Sequence, residues 1–137
     1  MELEAYLTFN GTCEEALNFY KECLNGEITT LSYYDSAPMP VSDAFKNKVL
    51  HANFKFGKSS FMASDSEEGK PVIIGTNISL TLNVENEEDL ERLYQKLAEG
   101  GQKTMPLQDT FWGAKFGMAV DRFGVNWMFN CEKKEVN

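Results

Sequence analysis

The chain has 137 residues, 42% of them hydrophobic, with 13 Lys and Arg against 21 Asp and Glu and a formal net charge of −8. That length holds one domain with a core of ordinary size, and an acidic surplus spread without a long block argues against nucleic-acid backbones and anionic membranes as partners. No apolar run approaches the ~18 residues of a spanning helix, and Met1-Glu2-Leu3-Glu4 lacks the basic and apolar regions of a secretory signal, so a cytoplasmic protein is expected.

Leu3 to Phe9 has strand character and runs into Asn10-Gly11-Thr12. Thr12-Cys13-Glu14-Glu15 has the form of a capping box, and Cys13, Ala16, Leu17, Tyr20, Cys23 and Leu24 recur at helical spacing until Asn25-Gly26. Glu27 to Tyr34 is a second strand. Asp35 to Asn47, with Pro38 and Pro40, has no period and is expected as a loop. Val49 to Phe56 and Ser59 to Asp65 make a hairpin about Gly57-Lys58. Ser66 to Gly75, polar and Gly-containing, is the candidate linker.

The order then repeats. Thr76 to Val84 is a strand, with Ile78, Leu80 and Leu82 alternating against Asn77, Ser79 and Thr81. Asn86 is a candidate N-cap for a helix with Leu90, Leu93, Tyr94, Leu97 and Ala98 on one face, ended by Gly100-Gly101. Gln102 to Leu107 is an edge-like strand broken by Pro106. Lys115 to Asp121 and Val125 to Cys131 form a last hairpin about Arg122-Phe123-Gly124. Glu14-Glu15-Ala16-Leu17 matches Glu87-Glu88-Asp89-Leu90 at an offset of 73. A duplicated β-α-β-β-β unit of the α+β class follows, as one domain over 1–137 with modules at about 1–68 and 74–133. Its helices should cover one sheet face and leave the other free to line a cavity. Cys13, Cys23 and Cys131, odd in number and without C-x-x-C spacing, are expected to be free buried thiols.

In this order, Tyr6-Leu7-Thr8-Phe9-Asn10-Gly11, Glu14 to Tyr20, His51-Ala52, Met62 to Asp65, Gly100-Gly101, Met105 to Gly113 and Asp121 to Trp127 resemble the PhnB-like branch of the vicinal oxygen chelate superfamily, which includes glyoxalase I, bleomycin-resistance proteins and extradiol dioxygenases. The resemblance covers nearly the whole chain. It implies an open eight-stranded mixed barrel from two tandem βαβββ modules, and a homodimer. The branch often carries a ubiquinone methyltransferase name, but no glycine-rich loop opens a helix after a strand in a way that would suit S-adenosylmethionine.

Metal-dependent members hold a divalent ion with one inward side chain from the first and last strand of each half, typically two His and two Glu. Matching strand by strand puts these at or near Ala5, Met62, Asn77 and Met128, none a His or a carboxylate. His51 is the only histidine, so a symmetric dimer with two sites supplies at most one imidazole to each, too few for a two-His site. No metal and no cofactor are therefore expected.

Met62 and Met128 either fill the space a metal would take or line a pocket for a flat or apolar ligand, with Asn77 as a hydrogen-bonding handle. His51 is the candidate catalytic acid or base, its other reading being a strand-end ring bonded to backbone. Phe111 and Trp112 form either an aromatic wall over the cavity or a dimer contact. Phe9 and Phe54 alternate so as to join the pocket or the core. Asp121 is expected to shape the last turn through backbone hydrogen bonds. Three functions remain open: binding a small apolar or aromatic molecule in a metal-free cavity, a metal-independent lyase or isomerase using His51, and a dimeric interaction module with a vestigial cavity.

Overall fold

A computed structural model describes residues 1–133. The contacts divide the chain into two compact units, Met1–Ile73 and the residues from Ile74 onward. The first unit runs β1 (Ala5–Phe9), α1 (Cys13–Leu24), β2 (Glu27–Tyr33), β3 (Val49–Phe56) and β4 (Ser59–Asp65). The second runs β5 (Leu80–Asn83), α2 (Glu87–Ala98), β6 (Gln102–Asp109), β7 (Ala114–Val120) and β8 (Asn126–Glu132). Each unit carries one four-stranded mixed sheet, in the order β1-β4-β3-β2 and β5-β8-β7-β6. In both, the first strand lies parallel to the last and the remaining pairs are antiparallel. The duplication thus holds strand by strand, and the expected α+β class with it.

In the first unit α1 buries Cys13, Ala16, Leu17, Tyr20 and Cys23. The sheet answers with Phe54 and Phe61, stacked at 5.1 Å, and Tyr20 meets Phe61 edge-on at 6.1 Å. In the second, α2 buries Leu90, Leu93, Tyr94, Leu97 and Ala98, and Tyr94 meets Phe129 edge-on at 5.2 Å. Each buried leucine contributes about 1.5–3 kcal/mol relative to exposure.

The two helices start differently. Asn86 caps α2 by accepting from Asp89 N at 2.8 Å, as expected. The capping box at α1 does not form, since the Thr12 side chain makes no cap bond. Asp65, from the end of β4, replaces it. Its carboxylate accepts from Cys13 N at 2.9 Å and from Val49 N at 2.8 Å, and its carbonyl accepts from the Tyr34 hydroxyl at 2.8 Å. A negative group at a helix N-terminus also meets the favourable end of the macrodipole.

Three further differences bear on the site. Expected from Thr76, β5 starts only at Leu80, because its partner β8 starts at Asn126 and the Asn126 side chain instead holds the Gly75 and Ile78 carbonyls at 3.0 and 3.1 Å. Pro106 does not end β6, which continues to Asp109 at the sheet edge; the register shifts between Met105 and Gln108, and the proline sits in that irregular step, where its missing N–H costs no ladder bond. Short 3-10 turns at Tyr34–Ser36 and Asp43–Phe45 order parts of the expected loop. The Asp121 expectation holds: its carboxylate accepts from Phe123 N, Val125 N and Trp127 Nε1 at 2.8, 3.0 and 2.8 Å. Gly124 takes a φ of +90° in that turn, which a side chain would strain. Cys13, Cys23 and Cys131 are buried and form no disulfide.

Candidate functional site

Side chains alternate between the two faces of a strand, so the ladder registers tell which residues share the face turned away from each helix. In the first sheet Tyr6 is opposite Met62 and Met62 opposite Asn53, which puts all three on that face. His51 is on the same face, two residues before Asn53, with Ser32 as its β2 partner. The Tyr6 hydroxyl lies 3.2 Å from His51 Nδ1, and the two rings are 5.8 Å apart. Tyr6 is 46% exposed, so the pair is open to a ligand.

Ala5 is opposite Phe61 and therefore faces α1. The inward residue of β1 is Tyr6, one position on from the expected place. Phe9 and Phe54 also belong to the helix-facing side, at 3% and 0% exposure. They pack the core, away from the face that holds His51 and Met62. Tyr33, at the end of β2, gives its hydroxyl to both carboxylate oxygens of Glu14 at 2.7 and 2.9 Å, which raises its pKa.

In the second sheet Met105, Met118 and Met128 are successive register partners across β6, β7 and β8, with Thr81 of β5 opposite Met128. All three methionines are half-buried on the helix-free face. The adjacent row is Gln108, Phe116, Asn130 and Asn83. Asn130 Nδ2 donates to Asn83 Oδ1 at 3.0 Å, and this amide pair enters a depression of about 590 Å³ shared with Val84, Glu85, Glu132 and Lys133. Trp112 approaches Phe116 at 6.3 Å and Phe111 at 5.0 Å, extending the apolar surface into the 110–113 loop. Asn77 lies ahead of β5 in the exposed connection and is not on this face.

The structure thus brings His51 and Met62 to one sheet and Met128, Trp112 and Phe111 to the other, and it adds Tyr6, Met105, Met118 and Phe116. The Phe116, Met118, Val120 alternation was legible in the sequence. Met105 was hidden by the irregular step at Pro106, and Tyr6 by the one-residue slip on β1.

Residues 2–129 match the family described as 3-demethylubiquinone-9 3-methyltransferase. Protein PA1353 from Pseudomonas aeruginosa is 42% identical and superposes with a TM-score of 0.89, covering 98% of this chain and 99% of its own. A putative 3-demethylubiquinone-9 3-methyltransferase, PhnB protein, from Bacillus cereus is 30% identical with a TM-score of 0.78, over 96% and 99%. A glyoxylase/bleomycin resistance protein/dioxygenase domain from Frankia sp. EAN1pec, at 16% identity and a TM-score of 0.71 over 99% and 94%, shares the fold.

The fold family implies a divalent metal and the family description a methyl donor. Corrected by the registers, the metal positions carry Tyr6 and Met62 in the first unit and Thr81 and Met128 in the second; a phenol with a thioether, or an alcohol with a thioether, is a poor donor pair for a divalent ion. Among the described residues no three His, Cys, Asp or Glu side chains are grouped to hold one. S-adenosylmethionine fares no better: the strand-to-helix connections Asn10-Gly11-Thr12 and Val84-Glu85-Asn86 hold one glycine and none, so neither is a glycine-rich loop. The family match and the likeness to the PhnB protein agree: the chain belongs to the 3-demethylubiquinone-9 3-methyltransferase family, PhnB-like, with a glyoxalase/bleomycin resistance-like fold.

Proposed function

We propose that this protein binds a small apolar or aromatic molecule without a metal ion, against the helix-free face of its second sheet. The observation that carries this is the row of Met105, Met118 and Met128 across three strands, bordered by Phe116. Thioethers are unbranched and polarizable, so they adapt to varied shapes and favour contact with aromatic rings. The neighbouring depression is of ligand size, roughly 300–1,000 Å³ being usual. Asn83 and Asn130 provide there the amide handle that Asn77 is placed too far away to give. Trp112, 6.3 Å from Phe116, extends the apolar surface beside the methionine row.

The neutral probe N-phenyl-1-naphthylamine tests this without repulsion from the acidic protein. Saturable fluorescence enhancement is expected in the wild type, weakened about tenfold in Met118→Gln and further in Met118→Glu, since burying a polar group against the probe costs ~1–3 kcal/mol. Near-ultraviolet circular dichroism from buried Trp127 checks that the variants fold. Enhancement equal in all three proteins would overturn the proposal. A second reading, a homodimer contact through the 110–113 loop, is favoured by the exposure of Phe111 (97%) and Trp112 (61%).

A further inference from the structure

The helix-free face of the first sheet supports a second, different kind of recognition. His51 Nδ1 and the Tyr6 hydroxyl share one hydrogen bond of 3.2 Å, and its direction decides what His51 presents to a ligand. An imidazole nitrogen is a strong acceptor, whereas the phenol oxygen is a weak one because its lone pair is delocalised into the ring. Tyr6 therefore donates and Nδ1 accepts. A neutral imidazole carries one N–H, so the proton must then sit on Nε2. Protonating the ring adds an N–H at Nδ1 and leaves the one at Nε2 in place. In either charge state, the outward nitrogen of His51 is a donor.

We propose that Tyr6 and His51 form a hydrogen-bond donor site for an oxygen acceptor, a carboxylate or ketone on a small aromatic molecule, in which Tyr6 fixes the tautomer and His51 binds. This goes beyond ligand binding at the second sheet and does not depend on it. It also changes the chemistry available to His51: a ring locked this way orients an acceptor and does not abstract a proton. Asn53, two positions along β3, places a further polar group on the same face, while the Ser32 hydroxyl donates to the His51 carbonyl at 3.4 Å. The charged groups carried by the same face are Lys55 on β3, its β2 partner Glu27, and Glu4 just ahead of β1. Tyr34 packs nearby with its hydroxyl committed to the Asp65 carbonyl.

Because the chain has a single histidine, a multiple-bond 15N–1H correlation spectrum contains one imidazole and needs no assignment. At pH 8 the wild type is expected to show the proton on Nε2. Benzoate and acetophenone serve as the carboxylate and ketone probes, read by saturable shifts of the His51 ring signals. Both probes should bind, since Nε2 carries its N–H in either charge state of the ring. Tyr6→Phe, which keeps the ring and its packing, should weaken acetophenone binding severalfold and let the Nδ1–H tautomer appear. The Nδ1–H tautomer in the wild type, or no saturable shift with either probe, would overturn the proposal. Neither result would bear on N-phenyl-1-naphthylamine binding at the methionine row.

Discussion

Asp65 joins separate segments of the first unit. Its two carboxylate oxygens accept from Cys13 N and Val49 N while the residue is 2% exposed, so one side chain ties the start of α1 to the start of β3. Asp65→Ala leaves two buried N–H groups without a partner, at about 1–3 kcal/mol each. Asp65→Asn keeps one acceptor and should lose roughly half as much. Urea denaturation measures both, and a loss below about 0.5 kcal/mol in Asp65→Ala would refute the account. None of this was legible from sequence, because Thr12-Cys13-Glu14-Glu15 spells a local cap. The group that won comes from 52 positions away. His51 is a similar case: its chemistry depends on Tyr6, 45 positions earlier, and no spacing rule connects them.

At the level of elements, periodicity sufficed wherever a segment packs on one side only. Both helices, the β3–β4 hairpin and the β7–β8 hairpin fall close to their expected places. It failed where the partner strand decides, as at the start of β5. Ile78 continues the alternation of Leu80 and Leu82, yet it is 74% exposed because no strand lies beside it. Ile73 is 95% exposed and Ile74 61%. Thermolysin, which cuts before bulky apolar residues, should therefore make early cuts at Ile73, Ile74 and Ile78, together with the exposed Phe111 loop. First cuts within α1 or α2, read by mass spectrometry, would contradict this ordering. The same partner dependence explains the site residues. One slipped position on β1 exchanges Ala5 for Tyr6, and with it an inert methyl for a phenol.

For the whole molecule, burial of ionisable groups sets a pH window. Burial, with the Asp65 and Glu14 charges adding to it, pushes the Cys13 thiol from its ordinary 9.0 up to about 12. Burial likewise raises the Tyr34 hydroxyl above 10.0. Where the unfolded chain has lost these protons and the folded one keeps them, stability falls with rising pH. It should be complete below pH 9 and decline as pH climbs toward about 12. Urea midpoints at pH 8, 9.5 and 10.5 check the slope, and Cys13→Ala should flatten its first part. An unchanged midpoint across that range would show that the buried protons do not hold.

Both tryptophans, Trp112 and Trp127, belong to the second unit, while four of the five tyrosines, Tyr6, Tyr20, Tyr33 and Tyr34, belong to the first. The duplicated units are therefore optically distinct. Indole emission reports from the unit beginning at Ile74, whereas phenol absorbance weights Met1–Ile73. Superimposed indole and far-ultraviolet transitions would mean the two halves melt as one cooperative body, and separated ones that each keeps its own thermodynamics.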